Sequence, residues 1–153
     1  MSYDIRSTTL QPQPILFCAG QARMPEIADV LGRLLPKVFG YATQSGATMV
    51  GPPFVRYLDR GEVLSLQAGL PVAPGAAPKD DIELGALPGG SAVTTLHVGP
   101  YDGLRDAYEA LEAFMQDGGL QPAGGPWEVY LTDPGEVPNP ADWKTQIYWP
   151  ISA

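Results

Sequence analysis

The 153-residue chain is poor in cysteine, histidine, basic side chains and long apolar runs. Each shortage closes off a class of function. Cys18 is the only cysteine, so no intrachain disulfide and no cysteine-rich metal site can form. Inside Pro14-Ile15-Leu16-Phe17-Cys18-Ala19 it reads as a small buried hydrophobe. His97 is the only histidine, and a lone imidazole cannot supply the ligand clusters that hold catalytic or structural metals, so no metal is expected. Nine basic residues against seventeen acidic ones leave a net charge of −8, which repels phosphate backbones and anionic lipid surfaces. Direct nucleic-acid binding and membrane binding are therefore not expected. No stretch reaches bilayer-spanning length, and Met1-Ser2-Tyr3-Asp4-Ile5-Arg6 lacks a basic start followed by an apolar run, so the cytoplasm is the expected location. Gly89-Gly90-Ser91 and Gly124-Gly125 lack the spacing and trailing lysine of nucleotide loops, and no Gly-x-Ser-x-Gly elbow occurs. No cofactor is expected.

What is present is a pattern written twice. Gly51-Pro52-Pro53-Phe54-Val55-Arg56-Tyr57-Leu58 returns 73 positions later as Gly124-Gly125-Pro126-Trp127-Glu128-Val129-Tyr130-Leu131, with four of the eight positions identical. Strand side chains alternate between faces, so Val55 and Tyr57 should look the same way in the first copy as Glu128 and Tyr130 do in the second. One copy carries a carboxylate where the other keeps an apolar group. If two such halves pack together, that face lines a groove of aromatic rings around one negative charge, a chemistry suited to cationic, greasy molecules.

The chain is long enough to bury a core as one domain, residues 1–153, built from a first repeat at about 3–70, a connector at about 71–80 and a second repeat at about 81–153. Strands are expected at 5–10 and 15–21, separated by the proline punctuation at 11–14. Ile27, Val30, Leu31, Leu34, Leu35 and Val38 recur at helical spacing, with Pro25 suited to the first turn and Pro36 expected to kink or restart the helix. Beyond it a polar segment at 41–51 leads to strands at 54–58 and 63–68 around the turn Asp59-Arg60-Gly61, and 69–80 reads as irregular connector. The second half repeats the order: strands at 82–84 and 92–98, a helix carrying Leu104, Ala107, Tyr108, Leu111, Phe114 and Met115 and ended by Asp117-Gly118-Gly119, then strands at 127–131 and 146–149. Each half reads strand-strand-helix-strand-strand. The expected fold class is α+β, a duplicated unit with pseudo-twofold symmetry whose antiparallel sheet carries both helices on one face, with a ligand groove between the halves.

His97-Val98-Gly99-Pro100-Tyr101-Asp102-Gly103-Leu104, then Ala107-Tyr108 and Leu111, then Gly125-Pro126-Trp127-Glu128-Val129-Tyr130-Leu131-Thr132-Asp133-Pro134, and finally Thr145-Gln146-Ile147-Tyr148-Trp149-Pro150-Ile151 together resemble the GyrI-like small-molecule-binding domain. That domain is the effector-binding module of multidrug-responsive AraC- and MerR-type transcription regulators and also occurs free-standing. The resemblance spans nearly the whole chain and is strongest from His97 onward. It implies a groove between the repeats in which a buried glutamate, Glu128 here, meets the positive part of a hydrophobic ligand, with Tyr130, Val55 and Tyr57 as further groove positions. The chain shows no helix-turn-helix segment, so by itself it is not expected to act as a DNA-binding regulator. Free-standing relatives of the family include a gyrase-inhibitory protein and hydrolases of cyclopropane-containing alkylating natural products. The resemblance thus also implies two alternatives, a hydrolase using Glu128 with Tyr57 and Tyr130, and a protein-interaction module whose regulator or topoisomerase partner is unknown. The haem-binding SOUL proteins look like relatives of the same duplicated fold, but His97 reads better as a structural residue at the turn into the second helix.

The expected ligand site is Glu128, Tyr130, Tyr57, Val55, Trp127, Tyr148 and Trp149. Taking a carboxylate out of water costs several kcal/mol without a partner. A cation about 4 Å away at an effective dielectric of 20 returns on the order of 4 kcal/mol. A cationic guest therefore offsets the burial of Glu128, unless an internal arginine such as Arg56 or Arg23 has already done so. Burial among rings would also raise the carboxyl toward the range of a general base, which is what the hydrolase alternative needs.

Overall fold

Two short proline-containing links decide which strands pair. Strands β1 (Arg6–Leu10) and β2 (Gln13–Ala22) are joined by Gln11-Pro12, and β5 (Ile82–Leu87) and β6 (Gly90–Val98) by Pro88-Gly89. A two-residue hairpin needs left-handed or mirror-turn backbone that proline's fixed φ forbids. Neither pair closes on itself in the computed structural model, which describes residues 3–59, 61–133 and 135–152. Instead β1 pairs antiparallel with β6, and β5 pairs antiparallel with β2. The chain accordingly forms two compact units, one from residues 1–10 and 90–153, the other from 11–89. Arg60 of the expected first-half turn and Pro134 of the second-half motif lie outside the described residues.

In the unit at 11–89 the strand order is β3 (Phe54–Tyr57), β4 (Leu64–Pro71), β2, β5, all antiparallel. Helix α1 (Ile27–Ser45) packs Val38 and Ala42 on Leu16, Cys18, Leu70, Val72 and Ile82. Pro36 does not interrupt α1. It occupies an exposed position, where the carbonyl it leaves unbonded can turn to water. The helix also runs on into the polar segment at 41–51, and ends where Gly46 takes φ 76° and Ala47 N–H returns to the Ala42 carbonyl at 3.0 Å. Strand β4 likewise extends through 69–71. Lys37 on α1 bonds Asp81 beside β5 at the surface.

In the unit at 1–10 and 90–153 the order is β1, β6, β9 (Lys144–Ser152), β8 (Trp127–Tyr130), again antiparallel, with β7 (Gln121–Pro122) on the end of β9. Helix α2 (Leu104–Asp117) follows a 3-10 turn at Tyr101–Gly103. Its Leu104, Ala107, Leu111 and Met115 pack on Val93, Ile147, Trp149 and Ile151. The expected α+β class holds: an antiparallel sheet with a helix on it in each unit. No helix among the described residues is long and apolar enough to cross a membrane.

Candidate functional site around Glu128

Register places the acid. Glu128 stands opposite Ile147, and Tyr130 opposite Thr145. Ile147 belongs to the core under α2, so Glu128 and Tyr130 face the helix. Glu128 is only 5% exposed. The Tyr130 hydroxyl donates to its Oε1 at 2.9 Å, and the Tyr108 hydroxyl, brought down from α2, donates to Oε2 at 2.6 Å. No lysine, arginine or histidine among the described residues of this unit pairs with it. Burial raises the Glu128 carboxyl above its ordinary value, and the two phenol hydrogen bonds oppose that rise without cancelling it. The result is a buried acid with both oxygens held in place and no cationic partner among the described residues of its own unit.

Of the residues expected at the site, Glu128, Tyr130 and Trp149 share the α2 face, and the Trp149 ring meets the Tyr108 ring edge-on at 5.9 Å between centroids. Trp127 and Tyr148 are register partners on the opposite face of the sheet, where their rings stack at 5.7 Å and 25°. Adjacent strand residues point to opposite faces, so Trp127 and Glu128 cannot line one wall together. Val55 and Tyr57 belong to the other unit. There they stand opposite Ala68 and Leu66 on the face that carries α1, with Val55 fully buried. Their position in that unit thus matches the position of Glu128 and Tyr130 in this one.

Tyr108 is the member of the site that sequence patterning misses. It falls at helical spacing with Leu104 and Leu111 and counts there as one more apolar stripe residue. Its hydroxyl, the only one on that stripe, is the signal that separates it from the others. The neighbouring Thr145 is fully buried, and its Oγ1 has no hydrogen-bond partner among the described residues.

His97 is enclosed. Its Nε2 lies 2.9 Å from the Pro100 carbonyl and its Nδ1 lies 3.0 Å from the Tyr3 hydroxyl. A carbonyl only accepts, so Nε2 carries the proton and, in the neutral ring, Nδ1 accepts from Tyr3. A side chain at Gly103 would come within 2.9 Å of the His97 ring, which explains the glycine in the turn that follows. The imidazole thus ties β6, the turn into α2 and the chain start together. Among the described residues no three His, Cys, Asp or Glu side chains gather in a way that could hold a metal ion.

The fold is shared with proteins of known structure. The crystal structure of the EcmrR C-terminal domain superposes with a TM-score of 0.86 at 21% identity, covering 99% of each chain. In the EcmrR–DNA complex the same likeness spans 57% of the EcmrR chain, so this chain corresponds to little more than half of that protein. A hydrolase from Listeria innocua matches with a TM-score of 0.71 at 17% identity, covering 97% of this chain and 91% of that one. SAV2435, solved bound to tetraphenylphosphonium, matches with a TM-score of 0.64 at 9% identity, covering 100% and 95%. No curated protein sequence matches the chain. The model of the GyrI-like small molecule binding domain matches residues 3–152, and the chain belongs to that family.

Proposed function

We propose that the protein binds a hydrophobic, cationic small molecule beside Glu128. The observation that carries this reading is the unmatched charge: a carboxylate 5% exposed, bonded by two phenols and by no cationic side chain of its unit. A cation within about 4 Å would supply on the order of 4 kcal/mol at an effective dielectric of 20, comparable to the cost of keeping that acid out of water. The rings of Tyr108, Tyr130 and Trp149 add apolar surface and the negative π-faces that favour positive charge. The family's small-molecule binding and the tetraphenylphosphonium held by SAV2435 support the same class of ligand. Val55, Tyr57, Trp127 and Tyr148 remain proposed contacts of lesser weight, since none of them shares the Glu128 face of this unit.

Calorimetric titration with tetraphenylphosphonium tests the proposal. Wild type should bind, and Glu128→Gln should weaken binding by about a hundredfold or more, the loss of a close charge pair. Equal affinity in the two proteins would remove Glu128 from the site.

A second reading has one observation in its favour. Hydrolysis by general acid-base chemistry needs a second group beside the base, and Tyr108 stands at 2.6 Å from a carboxyl whose proton affinity is raised. It predicts ring-opened product from a cyclopropane-bearing alkylator, lost in Glu128→Gln. Unchanged substrate in the wild-type reaction would exclude it.

A further inference from the structure

Tyr130 faces two ways. Its hydroxyl is committed to Glu128, while its ring meets the edge of Tyr101 at 5.6 Å and 62°. Tyr101 in turn lies tilted on Trp143 at 4.8 Å and 31°. The three rings come from the turn after β6, the end of β8 and the residue before β9, which the antiparallel register brings to one end of the unit. The indole is fixed by its Nε1 donating to the Val137 carbonyl at 2.7 Å. Tyr101 differs: it is 37% exposed, and no hydrogen bond to its hydroxyl is found among the described residues. The Tyr101 ring packs on its two aromatic neighbours and keeps 37% of the residue open to a guest.

Charge says which guest. Asp133 and Glu128 both act on the Tyr101 phenol through space, adding to the effect of its burial in raising that group. Of the cationic side chains nearest in sequence, Arg105 pairs with Glu109 along α2 at 3.7 Å, and Lys144 stands opposite Val98 and so points to the face away from Glu128. This corner therefore combines π-faces with two negative charges, the conditions under which aromatic rings hold cations most strongly.

We infer that Tyr101 and Trp143 form an outer subsite for a second cationic head, so that the protein prefers two-headed cations whose first head sits at Glu128. The inference rests on the reading of Glu128 given above. Tyr130, touching both places, is the bridge between an inner position closed to solvent and an outer one open to it. A guest with one head satisfies only the inner acid. One with two heads on a flexible spacer gains the outer rings as an intramolecular second contact, at little further entropic cost.

The experiment compares an alkyl-bridged bis-quinolinium with the N-alkylquinolinium that is its half, titrated calorimetrically into wild type, Tyr101→Leu, Trp143→Phe and Glu128→Gln, with melting temperatures confirming the fold. Wild type should bind the bridged cation about tenfold more tightly than its half, the worth of one well-placed cation–π contact. Tyr101→Leu should bring that ratio toward parity and leave the affinity for the half within about twofold. Trp143→Phe, which keeps a smaller ring, should fall between. A bridged cation that binds wild type no better than its half, or a ratio that survives Tyr101→Leu, overturns the outer subsite. Failure of the inner reading looks different: the half would then bind Glu128→Gln as tightly as wild type, whatever the Tyr101 substitution does.

Discussion

The two units solve the same position in opposite ways. In the unit at 11–89 it is Val55, fully buried against Ala68 on the α1 face. In the unit at 1–10 and 90–153 it is Glu128, nearly as deep, on the α2 face. The same offset of 73 residues that relates Val55 to Glu128 relates Leu35 on α1 to Tyr108 on α2, while Tyr57 and Tyr130 stay alike. By that offset Leu35, Val55 and Tyr57 align in sequence with Tyr108, Glu128 and Tyr130. Two changes, made together, turn an apolar packing site into an acid held by two phenols. The acid and its helix-borne phenol belong together, because a buried carboxylate without donors costs more than one with them. The first unit shows this strand position filled by a buried apolar side chain, the second by a buried acid.

That contrast can be broken from either side. Writing the second unit's acid into the first, Val55→Glu, should be the most damaging change, destabilising the protein by about 3–5 kcal/mol in urea denaturation because Leu35 offers the new carboxylate no hydrogen bond. A loss under about 1 kcal/mol would mean that the first unit already tolerates charge at this position, and the comparison would fail. The reverse transplant, Tyr108→Leu with Glu128→Val, should abolish tetraphenylphosphonium binding and raise the stability of the unliganded protein by about 1–4 kcal/mol, the usual gain when buried charge gives way to apolar packing. A double variant that still binds the cation would separate the ligand from the acid.

The pH dependence of stability sharpens the same point. Burial raises the Glu128 carboxyl in the folded state above its unfolded value, so the folded protein holds that proton more tightly. This group's contribution is then most favourable below the unfolded value, falls as pH rises toward the folded value, and levels off above it. The unfolding free energy of wild type minus that of Glu128→Gln should decline through that window and be flat on either side. A difference that is flat throughout would mean that the acid titrates like an exposed one. The smallest effect belongs to Thr145. Its buried Oγ1 has no partner among the described residues, so Thr145→Val should leave stability unchanged or raise it by about 1 kcal/mol. A loss beyond that would reveal a hydrogen bond made by the hydroxyl.

Patterning placed the acid in a strand, the family resemblance implied its burial, and neither showed what surrounds it, for physical reasons. Glu128 was visible because a repeat exposes a substitution: the charge stands out against Val55. Strand alternation was enough to put Tyr130 on the same face, and by the same rule it separates Trp127 from Glu128. Tyr108 was hidden because helical periodicity registers only that a residue faces the core, and the hydroxyl at its tip finds its partner on a distant strand. Tyr101 and Trp143 lie in a turn and a loop, where no period marks them and only the tertiary register brings their rings together. That β1 does not pair with β2, nor β5 with β6, was legible in principle in Gln11-Pro12 and Pro88-Gly89, since proline's fixed φ disfavours the tight hairpin turn that a two-residue link needs; their partners β6 and β2 were not. The unbroken α1 was not, because Pro36 becomes harmless only through its exposure.

On the proposed function, Glu128 gains its counter-charge only when a cation binds. Carbon-13 NMR titration of the Glu128 carboxyl, with and without saturating tetraphenylphosphonium, measures this most directly. The midpoint should lie above that of an ordinary glutamate in the free protein and shift clearly downward when the cation binds. A midpoint already at the ordinary value, or one that saturation with the cation leaves unmoved, would contradict it.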